Sequence, residues 1–91
     1  MWKIDSVQAL TAGTTAKTVP VRGLACLIQN NSDTATVYIR EKRQDGAAAT
    51  ASNGWAIGPG KATPVPLVAM ELSVVSDTAS TDVRVMVLDE E

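Results

Sequence analysis

The sequence predicts an all-β domain, an antiparallel two-sheet β-sandwich of about eight short strands with a jelly-roll-like path. Three observations carry that expectation. Runs rich in Val, Ile and Thr are separated by turn clusters at intervals of roughly 8–12 residues. In the clearest runs apolar and polar side chains alternate, the period that sets residues i and i+2 on one face of a strand. No window of useful length carries a helical period.

Taken in order, residues 6–10 form a first strand, followed by a turn at "TAGT". Residues 17–21 form the next, with Val19 and Val21 on one face, and the chain breaks at Arg22-Gly23. Residues 24–30 are nearly continuously apolar, as a strand near the centre of a sandwich is. "NNSD" then supplies a turn whose side chains bond their own backbone. Residues 35–42 alternate, Val37 and Ile39 against Thr36, Tyr38 and Arg40. The stretch "QDGAAATASN", residues 44–53, is small and polar and reads as the longest and most mobile loop. Residues 54–57 make a short strand carrying Trp55. Residues 71–76 and 81–88 close the chain around "DTAS".

Between these lies "AIGPGKATPVPL", the one enzyme-like motif. A phosphate-binding loop of the form G-x-x-x-x-G-K-[ST] needs its first glycine at position 55, which is Trp55. Ala62 stands where a Mg²⁺-holding hydroxyl belongs, and Pro59 removes a backbone donor. Pro64 and Pro66 forbid the helix that must follow. A type II turn fits instead, with Pro59 at its second position and Gly60 at its third, where φ is positive. Pro64 and Pro66 are two apart, so their missing N–H groups fall along one edge. That predicts an edge strand guarded against sheet extension.

Composition bounds the chemistry. The 91 residues make one domain, residues 1–91, whose folded surface should be roughly 5,000 Å² against about 14,000 Å² unfolded. With Phe absent and Trp2, Tyr38 and Trp55 the only aromatics, the core must be aliphatic. A net charge of −2 offers no field for nucleic acid. The basic cluster Arg40, Lys42 and Arg43 is interrupted by Glu41 and reads as a solvated strand end, and the acidic tail 89–91 as a solubilising terminus. No apolar stretch is long enough to span a bilayer, and no signal-peptide core opens the chain, so synthesis in the cytoplasm is expected.

The chain has no His and one Cys, which removes imidazole catalysis, His-ligated metals and multi-thiolate zinc sites. Cys26, in "LACLI", is expected as a buried small hydrophobe. Asp5, Asp33, Glu41, Asp45, Glu71, Asp77 and Asp82 are spread singly over turns and strand ends with no D-x-D-x-D ladder, and so short a chain with tight turns offers little cleft across which two could face each other. The expectation is a non-enzyme without cofactor or metal.

Four residues are candidates for interaction. Trp55, beside the long loop, and Trp2, at the N-terminus, either cap the core or anchor a partner. Arg84 and Met86 lie on the outer face of residues 81–88, whose other face carries Val83, Val85 and Val87. Both faces are partly apolar, so the outer one is expected to meet a second sheet or a neighbouring subunit.

The order of motifs is also informative: "IQN" closing a strand, then "VYI", "IGPG" and a final "VRVMVL". From Thr14 onward it resembles small β-sandwich proteins encoded among bacteriophage and prophage structural genes. The resemblance implies a virion structural protein, a capsid decoration or a head or tail part. Its partners would be copies of itself, a trimer among the options, and capsid or tail proteins, with assembly in the bacterial cytoplasm and residence in the virion. A rival reading is a carbohydrate- or ligand-binding sandwich gripping a glycan with the loops around Asp45 and Trp55.

Overall fold

The runs of alternating side chains fold as eight strands and no helix in a computed structural model describing residues 2–42, 46–66 and 69–90, without the side chains of Trp2, Pro66, Ala69, Met70 and Glu90. The strands are β1 (Trp2–Ala12), β2 (Lys17–Arg22), β3 (Ala25–Asn30), β4 (Val37–Glu41), β5 (Trp55–Ile57), β6 (Ala62–Pro66), β7 (Ala69–Ser76) and β8 (Thr81–Glu90). They form two antiparallel four-stranded sheets, ordered β1-β8-β3-β6 and β2-β7-β4-β5. The ladders β4–β5, β3–β6, β2–β7 and β1–β8 are nested one inside the next. The chain is thus one long hairpin, rolled up so that β8 also meets β3 and β7 also meets β4. This is the jelly-roll path.

The core lies between the sheets and is aliphatic. Val83, Val85 and Val87 of β8 face Cys26 and Ile28 of β3 within it, and Val37, Ile39, Leu72 and Val74 close it from the other sheet. Its alternation with Arg84, Met86 and Leu88 matches the expected faces of this strand. The folded surface of 5227 Å² is near that expected from the mass.

The turn at residues 58–61 is the type II turn the sequence demands. The Lys61 N–H donates to the Gly58 carbonyl at 3.1 Å, and Gly60 has a φ of 70°. β6 is an edge strand with β3 as its ladder partner. The Asn30 N–H bonds the Lys61 carbonyl at 2.9 Å, so alternation makes Ile28–Thr63 and Cys26–Val65 the hydrogen-bonded pairs. Pro64, opposite Leu27, and Pro66, opposite Ala25, fall between them. Their donorless nitrogens therefore lie on the outer edge.

Two differences from the sequence reading have physical causes. β1 begins at Trp2 rather than at residue 6, because a bulge between Ile4 and Ser6 breaks the alternation that would have revealed it. The loop read as most mobile is docked over residues 46–54. The Ala49 N–H donates to the buried Ser73 hydroxyl at 2.8 Å, and Asn53 closes the loop on Thr50 and Ala48. Small side chains let it lie flat, and Ala49 is buried beneath it. It covers the middle of the outer face of β2-β7-β4-β5, where Ser73 and Val75 are buried, while Thr18, Pro20 and Glu71 on that face stay exposed.

Candidate functional site

Among the described residues no loop docks in this way on the other sheet, whose outer face is largely apolar. Cross-strand partners share a face, so the registers define rows running across the sheet. Val7, Met86, Leu27 and Pro64 form one row through all four strands. Ile4, Leu88 and Ala25 form the next, and Ala9, Arg84, Gln29 and Ala62 the row on the other side. Ile4 and Val7 are each 61% exposed. They are three residues apart and would point to opposite faces of a regular strand. The bulge at Asp5 brings both to the outer one.

Arg84 closes one end of this patch, and its charge is already engaged. Nε and Nη2 donate to the two carboxylate oxygens of Asp82 at 3.1 and 3.0 Å. Asn31 Nδ2 adds a bond to Asp82 Oδ2 at 2.9 Å. The bonds from Arg84, then that from Asn31, hold the Asp82 carboxyl below its ordinary range, and the same pair raises Arg84. The exposed pair lies within β8, and the Asn31 bond ties it to the turn after β3.

The other candidates lie elsewhere. Trp55 is 67% exposed at the edge of β5, beside a groove of about 330 Å³ in the open side of the sandwich between β5 and β6. Ile39, Leu72, Val65 and Pro64 give that groove an apolar lining, with Arg40, Glu41 and Thr63 at its margin. Pro64 borders both the groove and the sheet face. The backbone of Trp2 pairs with Glu90 at the end of β1, and its side chain lies outside the described residues, as do Arg43 and Asp45. Of the four interaction candidates, the structure thus brings Arg84 and Met86 together on one face and sets Trp55 on another surface. Ile4, Val7 and Leu27 were missed as members of the patch, because only the register across strands gathers them.

Cys26 is buried in the core, where desolvation pushes its thiol up to about 11, so it is a packing group rather than a nucleophile at neutral pH. Among the described residues no three Cys, Asp or Glu side chains gather as a metal site would need. No helix is long and apolar enough to cross a membrane. No family model, curated protein or solved structure matches the chain.

Proposed function

We propose that this protein is a non-enzymatic structural component of a bacteriophage or prophage particle, assembled in the bacterial cytoplasm and retained in the virion. It binds copies of itself and a larger capsid or tail assembly. The observation that carries this reading is the asymmetry between the two sheets. The middle of one outer face is covered by the chain's own loop at Ala49, while the other presents Ile4, Val7, Leu27 and Met86 with no loop of the described residues docked over them. Contiguous apolar surface of this kind marks an interaction site. The jelly roll and the order of motifs support the virion context as analogy, since viral shells and unrelated proteins both use this architecture. The test is mass spectrometry of purified, nuclease-treated particles from the bacterium carrying the gene. The chain is expected there at a fixed copy ratio to the major shell protein, and its absence from intact particles would overturn the reading.

The groove beside Trp55 favours a second reading, a carbohydrate or other small ligand stacked on the indole. Selective binding on a glycan array, abolished by Trp55→Ala, is the result it requires.

A further inference from the structure

We infer that the outer face of β1-β8-β3-β6 is closed by the same face of a second copy, two sandwiches stacking sheet on sheet about a two-fold axis. The inference rests on the assembly reading and names the partner for its exposed face. Three features favour a second copy.

The first is area. With strands about 4.8 Å apart and about 3.4 Å per residue, the 11, 10, 6 and 5 residues of β1, β8, β3 and β6 make a footprint of roughly 520 Å² before side-chain relief is counted. Stable interfaces take about 600–1,000 Å² of accessible surface from each partner, so the whole face, with its side-chain relief, suits a dimer at the small end of that range. The second is the distribution of polarity. Met86 and Leu27 occupy the two central strands, with Val7, Ile4 and Leu88 around them and Gln29 and Arg84 at one end. An apolar centre with a polar margin is interface anatomy.

The third is charge. Between residues 84 and 88 of β8 the charged side chain on this face is Arg84, and Asp82 already engages it through two hydrogen bonds. A strongly acidic or basic partner would find little here to read. An identical face meets no uncompensated like charge at its centre, which is what an isologous contact requires.

The experiment is sedimentation equilibrium of the full chain from about 1 µM to 1 mM, a range that spans weak and moderate dimers. Val7→Glu and Met86→Glu are compared with Trp55→Ala, which lies off the face, and circular dichroism establishes that each is folded. Val7 is largely exposed, so its variant keeps the fold even if the Met86 variant does not. The expected result is a dimer whose dissociation constant rises about 30-fold or more in Val7→Glu, as for a central interface residue, and is unchanged in Trp55→Ala. A monomer throughout, a trimer, or a dimer indifferent to Val7→Glu would each overturn the inference. A monomer still found in purified particles leaves the assembly role standing with a different partner. A dimer absent from particles does the reverse.

Discussion

Asn30 shows how much a single buried polar residue can organise. It is fully buried, and Nδ2 donates to the carbonyls of Ala35 and Ile57 at 2.8 and 3.0 Å. Its Oδ1 accepts from the Ser32 N–H at 3.1 Å. One amide thereby fixes the turn after β3, the approach to β4 and the end of β5. Asn30→Ala leaves two carbonyls and one N–H without these partners and should cost about 3–5 kcal/mol, read as a lower urea midpoint at unchanged slope. Cys26 makes a different prediction. Its folded pKa of about 11 lies above the ordinary 9.0, so the unfolded chain loses the thiol proton first as pH rises. Stability is fully present below pH 9 and falls towards pH 11, by roughly 2–3 kcal/mol from this group. The pH dependence of urea unfolding should be shallower over that window in Cys26→Ala than in the native chain. A thiol reagent at pH 8 should label native Cys26 only on unfolding.

Among the elements, β6 is where sequence and topology agree most closely. A strand with a proline at alternate positions can pair on one side only, and among the described residues β6 pairs with β3 alone. Replacing both prolines with Thr restores two outward N–H groups without removing a ladder bond. The double variant Pro64→Thr/Pro66→Thr should therefore change folding stability by about 1 kcal/mol or less while raising the aggregation rate seen by light scattering. The turn before it is anchored as well as closed, since the Gly60 N–H reaches the Ser32 carbonyl at 2.9 Å. At Gly23 the constraint is proximity. A Cβ there would stand 2.8 Å from the Leu88 carbonyl oxygen, where the chain folds tightly against β8 on its way into β3.

At the scale of the molecule, nested ladders make most contacts distant in sequence, and only β4 and β5 are consecutive strands in one ladder. Folding should accordingly be slow for a chain of this size. The docked loop makes the two sides of the sandwich different. Ala49→Asp places a carboxylate in the small buried site against Ser73 and should undock the loop, costing about 2–3 kcal/mol without unfolding the core. Limited proteolysis should then cut within residues 46–54 at a temperature where the native loop resists. Equal resistance of native and variant loops would show that docking does not protect it.

Much of this could be read along the chain. The β class, the faces of β8, the buried thiol, the type II turn and the guarded edge all follow from local rules, because alternation, φ preference and a missing donor act within a few residues. The proposed interaction face was legible only in β8, from the outward pair Arg84 and Met86. The bulge at Asp5 hid the first part of β1, since one extra residue inverts the apparent face of everything before it. Pairing across strands then decided what no local rule contains: that Val7, Met86, Leu27 and Pro64 stand in one row, and that Arg84 leans on Asp82. It also decided that the polar loop docks over Ser73 and Val75 of one sheet, while no loop of the described residues does so on the other. Those relations join residues up to eighty positions apart, and only the closure of nested ladders brings them within contact distance.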